Sequence, residues 1–170
     1  MNKMSKQTVS KERVKKHGEV FTPQKIVTEM HDLIPIEEWS KPNFTYLEPT
    51  CGRGVFLVDA IKRKLKGGLT IEQAVNTCFG MDIQQDNIDV CHKLIMDVVL
   101  EATKDNKLIE RCGNIIKWNV FVVTDSLLWM ERDLKKIPKD FKYPKWYDAW
   151  DHPGLSLIEA LPFYDEIDHA

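Results

Sequence analysis

The sequence predicts an open parallel α/β sheet, and three observations predict it. Short apolar runs of strand length alternate with longer stretches of helical periodicity over the first 125 residues. A run of strand character passes straight into a glycine turn that opens a helix, at Tyr46-Leu47-Glu48-Pro49-Thr50-Cys51-Gly52-Arg53-Gly54-Val55-Phe56-Leu57. Acidic residues stand at or just after the ends of three successive predicted strands: Glu48, Asp82 and Asp125.

The elements follow in order. Residues 1–17 are polar and hold all six Lys and Arg of the first 20 positions, so they read as a basic flexible arm with phosphate-contacting character. Thr22 caps a first helix and Pro23 suits its first position. Ile26, Val27, Met30, Leu33 and Ile34 line one face of this helix until Pro35 stops it. The first strand spans residues 44–48. The helix after the glycines turns Leu57, Val58, Ile61 and Leu65 inward and Lys62, Arg63, Lys64 and Lys66 outward, and Gly67 and Gly68 end it.

A short helix begins at Thr70, whose spacing to Gln73 is that of a capping box. The second strand spans residues 78–83. A long helix then covers about residues 85–103, with Ile88, Cys91, Leu94, Ile95, Val98, Val99 and Ala102 at 3.6-residue spacing. The third strand spans residues 119–123, before Asp125. Residues 18–136 form the predicted cofactor-binding domain. Residues 137–170 form an acidic C-terminal segment so rich in proline and aromatic residues that no regular element is assigned there beyond a possible strand at 146–150.

Composition narrows the function classes. Cys51, Cys78, Cys91 and Cys112 form no Cys-x-x-Cys pair and have no histidine at zinc spacing, so reduced thiols are expected and a metal site is not. No apolar run reaches membrane-spanning length, and a cytoplasmic protein without a membrane partner is expected. Glycines at 52 and 54 let a ligand approach backbone. An acid at the strand tip and the lack of a Lys-Ser/Thr pair favour a ligand with positive charge or ribose hydroxyls over a pyrophosphate. Asp82 stands where an acid accepts ribose hydroxyls.

Four segments in order carry a resemblance: Gly18-Glu19-Val20-Phe21-Thr22-Pro23, the run 47–57, Gly80-Met81-Asp82-Ile83 and Thr124-Asp125-Ser126-Leu127-Leu128-Trp129. Over about residues 15–130 the chain resembles the amino-terminal half of N6-adenine DNA methyltransferases of the gamma arrangement, found in restriction-modification systems. The resemblance implies a Rossmann-like S-adenosylmethionine-dependent methyltransferase fold, with a sheet left incomplete by the length of the chain. It implies that Phe21, Thr22 and Pro23 close over the cofactor, with Thr22 near its carboxylate. Glu48 and the Cys51, Gly52 and Gly54 turn meet the methionine part, Asp82 the ribose, Ile83 the adenine ring, and Asp125 the adenine amino group. A sulfonium cofactor that also carries an ammonium suits a cradle of acids.

The family follows these segments with Asn/Asp-Pro-Pro-Tyr/Phe, whose oxygens accept hydrogen bonds from the target amine while the ring stacks on the flipped base. This chain has no such tetrapeptide; the nearest candidate is Asp151-His152-Pro153-Gly154, and Asp151 and Pro153 are the candidate catalytic residues. Two readings follow. One is an adenine-specific DNA methyltransferase. The other is a catalytically incomplete relative that binds cofactor and acts as a binding or partner subunit, in a restriction-modification or phage setting. DNA is the expected macromolecular ligand, and a homodimer or partner subunit is expected to cover the open sheet edge.

Overall fold

The computed structural model describes residues 22–122. They form helix α1 (Gln24–His31), a 3-10 turn (Ile36–Ser40), β1 (Tyr46–Glu48), α2 (Val55–Lys66), α3 (Ile71–Asn76), β2 (Cys78–Asp82), α4 (Gln85–Ala102), α5 (Asn106–Asn119) and β3 (Val120–Val122). The strands make a three-stranded parallel sheet in the order β1-β2-β3. Glu48 pairs with Gly80, and Asp82 pairs with Val122. This is the expected Rossmann-like arrangement, with a small open sheet.

Helices α2 and α4 connect the parallel strands and pack together against the sheet in one cluster. The main core lies there, built from Leu57, Ala60, Ile61, Ile88, Cys91, Ile95, Val99 and Val120 among others. Leu57 of α2 packs so close to β2 that a Cβ on Gly80 would lie 2.5 Å from its Cδ1, so glycine at this strand position sets the helix-to-sheet distance. The alternation of side chains puts Leu47, Phe79, Met81 and Phe121 on the other face, where they cluster with Trp118. Both faces are therefore apolar, as a parallel sheet requires.

Several expectations hold to within a residue or two, with shifts of that size at strand ends. The predicted strands at 44–48 and 78–83 shorten to Tyr46–Glu48 and Cys78–Asp82, because only these residues pair across the sheet. The capping box at Thr70 is present, with the Gln73 amide donating to the Thr70 hydroxyl and the Thr70 amide donating to Gln73 Oε1. At the first helix the cap shifts by one: Pro23 is the extended N-cap residue and Gln24 begins the helix. The Pro23 carbonyl accepts the Ile26 amide at 2.9 Å.

Two inward faces differ from expectation. In α1 the buried residues are Val27 and His31, whereas Ile26 and Met30 are exposed, as is Leu33 in the turn that follows because the helix ends at His31 rather than running on to Pro35. The side of the helix carrying Val27 and His31 faces inward, and there the His31 ring meets Asp59 and the Tyr46 hydroxyl. In α2, Lys64 is fully buried rather than outward. It lies at helical spacing from Leu57 and Ile61 on the same stripe, and its ammonium donates to the Phe44 carbonyl and, at 2.8 Å, to Thr77 Oγ1. Burial pulls its pKa below the usual lysine value.

Helix α5 lacks a counterpart in the sequence reading. Asp105 caps it, accepting the Lys107 and Leu108 amides. At its other end Asn119 donates to the carbonyls of Val75 and Asn76, which ties the entry into β3 to the end of α3. Among the described residues no helix is long and apolar enough to cross a membrane, and no cluster of side chains has the makings of a metal site.

Candidate functional site

The carboxyl ends of β1 and β2 lie side by side, and the register sends Glu48, Gly80 and Asp82 to the same face of the sheet. The glycine turn crosses above them. It is held from below by backbone and from the side by a carboxylate: the Cys51 amide donates to the Met81 carbonyl at 2.7 Å, and the Gly52 amide donates to Asp82 Oδ2 at 3.0 Å. Gly52 and Gly54 both have positive φ, at 52° and 81°. Gly54 is the N-cap of α2, and a Cβ there would lie 2.3 Å from Cys91 Sγ. Position 54 therefore demands glycine twice, for its backbone and for the helix packed beneath it.

Asp82 is organised from both sides. Its Oδ1 accepts the Gln84 amide at 2.8 Å and Asn87 Nδ2 at 3.3 Å, while Oδ2 takes Gly52. Strand β2, the start of α4 and the glycine turn thus converge on one carboxylate. Oδ2 keeps a lone pair for a hydroxyl donor. Next to it Ile83 is 42% exposed, an apolar surface at the strand tip.

Glu48 is half-buried and forms no ion pair within the described residues. Burial raises its pKa above the ordinary 4.5, and bonds from the Thr50 amide and hydroxyl, together with the charge of His31, counter only part of that rise. A half-buried carboxylate with no ion pair among the described residues is chemically suited to a cationic ligand. The Cys51 thiol, in contrast, turns into the core at 3% exposure. Its hydrogen bond with Cys91 and its burial push its pKa far up, so any part of this residue in binding falls to its backbone.

The structure brings Glu48, Cys51, Gly52, Gly54, Asp82 and Ile83 together at one rim of the sheet. Thr22 and Pro23 lead into α1, whose contacts run to α2. Phe21, Asp125, Asp151 and Pro153 lie outside the described residues, as do the arm at 1–17 and the segment 137–170.

Sequence reasoning missed three groups. Asn87 is buried and bonded to Asp82, a contact signalled only by its place in the first turn after an acidic strand end. His31 and Asp59 form a buried polar link between α1 and α2, with Nδ1 and Oδ2 2.7 Å apart. Tyr46 completes it, its hydroxyl 2.9 Å from His31 Nε2. A histidine within an apolar stripe was the available signal for that link.

No curated protein and no solved structure matches the chain. The sequence model of the N-6 DNA methylase family matches residues 5–130, which takes in every described element and the four segments that carry the resemblance. Acids at two neighbouring strand ends, a glycine turn bonded to the second of them and a match over most of the chain agree: this protein belongs to the N-6 DNA methylase family.

Proposed function

We propose that the protein binds S-adenosylmethionine at the rim formed by β1, β2 and the glycine turn, as an adenine-N6 DNA methyltransferase-like protein. The observation that carries this reading is the pairing of a half-buried Glu48, which has no ion pair among the described residues, with a hydrogen-bonded Asp82 across the glycine turn. The family to which the chain belongs uses this cofactor. Its ammonium and sulfonium charges suit Glu48, its ribose hydroxyls suit the remaining lone pair of Asp82, and its adenine ring suits the exposed face of Ile83. Gly52, Gly54 and the backbone of Cys51 let the methionine part approach closely. Phe21, Thr22 and Pro23 close over it, and Asp125 accepts the adenine amino group. When bound, the cofactor supplies an activated methyl group.

Action on DNA is the finer part of the proposal. In this reading Asp151 and Pro153 take the place of the family's tetrapeptide and accept the target amine, in a cytoplasmic protein of a restriction-modification or phage system. The absence of Asn/Asp-Pro-Pro-aromatic from the chain favours a second reading, in which the protein holds cofactor and a homodimer mate or partner subunit contributes the groups that act on the base. Calorimetry with S-adenosylmethionine on the unmutated chain and on Asp82→Ala tests the common core of both; no binding by the unmutated chain defeats it. Transfer of labelled methyl to adenine-containing DNA then separates them, since cofactor binding without transfer selects the second.

A further inference from the structure

Asp59, in the middle of α2, receives both ends of α1. Its Oδ1 accepts Gln24 Nε2 at 2.9 Å, and Gln24 is the first residue of that helix. Its Oδ2 lies 2.7 Å from Nδ1 of His31, the last residue of the same helix, and accepts Arg63 Nε at 2.7 Å. The guanidinium of Arg63 reaches on to the Thr28 carbonyl and the Asp32 carboxylate. The other nitrogen of His31 meets the Tyr46 hydroxyl, two residues before Glu48 on β1. Edge-to-face contacts set the same imidazole against Trp39, Tyr46 and Phe56, with Phe56 two residues beyond Gly54.

This arrangement exceeds what packing α1 alone would need. A valine or leucine at position 31 would continue the apolar stripe without desolvating an imidazole or a carboxylate. What the polar link adds is direction. Three elements whose ends carry Thr22, Glu48 and the glycine turn meet at one buried ring, and a helix of eight residues acts as a rigid arm about 12 Å long between His31 and the Thr22-Pro23 segment. Two anchor points on one carboxylate fix both the position and the rotation of that arm.

We propose that Asp59 and His31 are positioning residues of the cofactor cradle, holding α1 so that the Thr22-Pro23 segment stands against the rim formed by Glu48 and the glycine turn. The cofactor arm of the test rests on the function proposed above; the first arm does not.

The first arm is amide hydrogen exchange on the full chain without cofactor, comparing the unmutated protein with Asp59→Asn and Tyr46→Phe, which keep side-chain volume. The expected result is exchange about tenfold or more faster in α1, from loss of a charge-assisted bond, with β2 and α4 unchanged. Unchanged α1 exchange, or equal acceleration throughout, overturns the proposal, because the link would then be idle or merely stabilising. The second arm measures S-adenosylmethionine affinity. Asp59→Asn is expected to weaken it about fivefold or more, with Asp59→Glu recovering part of the loss. Loosened α1 with undiminished affinity also overturns the proposal. If the unmutated chain binds no cofactor, the cradle reading fails, and the exchange arm alone decides whether Asp59 and His31 position α1.

Discussion

Asp82 holds the glycine turn directly, its Oδ2 accepting the Gly52 amide at 3.0 Å. The same carboxylate accepts the Gln84 amide and Asn87, so a turn, a strand end and a helix start share one anchor. An acid placed for a ligand hydroxyl is thus already structural before any ligand arrives.

Replacing Asp82 by Asn is expected to have two effects. An amide group cannot accept at both ends, so either the Gly52 or the Gln84 N–H faces another donor, at a cost of about 1 to 3 kcal/mol in folding stability. Cofactor affinity is expected to fall about tenfold or more through the displaced turn and the lost charge. Denaturant unfolding and calorimetry read the two effects separately.

The two turn glycines are expected to respond unequally. At Gly54 an added Cβ meets Cys91 Sγ at 2.3 Å on top of a φ of 81°, so Gly54→Ala is expected to cost about 2 to 4 kcal/mol. At Gly52 the same change meets nothing within 4 Å, and only the positive φ opposes it, at about 1 kcal/mol. Thermal unfolding of the two variants should rank them in that order.

Cofactor affinity is expected to depend on pH through Glu48. Burial raises its pKa in the folded protein, so as pH climbs above the ordinary 4.5 the unfolded chain loses this proton first and the fold is penalised for the buried charge. A cationic ligand favours the ionised form and draws the pKa back down. Binding of S-adenosylmethionine should therefore release a proton and tighten as pH rises above 4.5 through the raised folded value. Calorimetry in buffers of different ionisation heat detects the proton, and Glu48→Gln should abolish this dependence.

Asp59 is expected to show the opposite sign in folding. Burial works to raise its pKa, but the bonds and charges of His31 and Arg63 outweigh that and hold it below the ordinary 3.8. Its contribution to stability is complete above 3.8 and disappears as pH falls through the lower folded value. The stability gap between the unmutated chain and Asp59→Asn should accordingly be widest near neutrality and narrow below pH 3.8, by denaturant titration at each pH.

The four cysteines are expected to be silent toward thiol reagents in the folded protein. All are buried, and burial pushes Cys78 up to about 12 and Cys112 up to about 11. A disulfide reagent should titrate none within minutes under native conditions and all four after denaturation. Rapid native reaction of Cys51 would place its thiol at the ligand surface instead of in the core.

Much of this molecule was readable from local pattern. The helix at 85–102, the capping box at Thr70 and the passage from Glu48 through Gly54 depend on periodicity and backbone demands that act over a few residues. Helix α5 was equally available, since Leu108, Ile109, Cys112, Ile115 and Ile116 keep helical spacing after an Asp105 cap. Glu48 and Asp82 at the ends of β1 and β2, and the family, were legible for the same reason: local sequence carries them.

Tertiary structure alone decided the rest. The predicted apolar face of α1 is split, with Val27 inside and Ile26 and Met30 exposed, and His31 on the inner side meets Asp59, 28 residues away. Lys64 has the sequence signature of a solvated lysine, yet it is buried because the Phe44 carbonyl and Thr77 stand within its reach. Asp82 reads as a ligand contact, and only the fold reveals that it also secures the Gly52 amide. Sequence by itself determined most of the elements, the glycine turn and the acids at the ends of β1 and β2, since local sterics and spacing govern them. Which buried polar groups meet depends on contacts between distant segments, and no local pattern encodes that meeting.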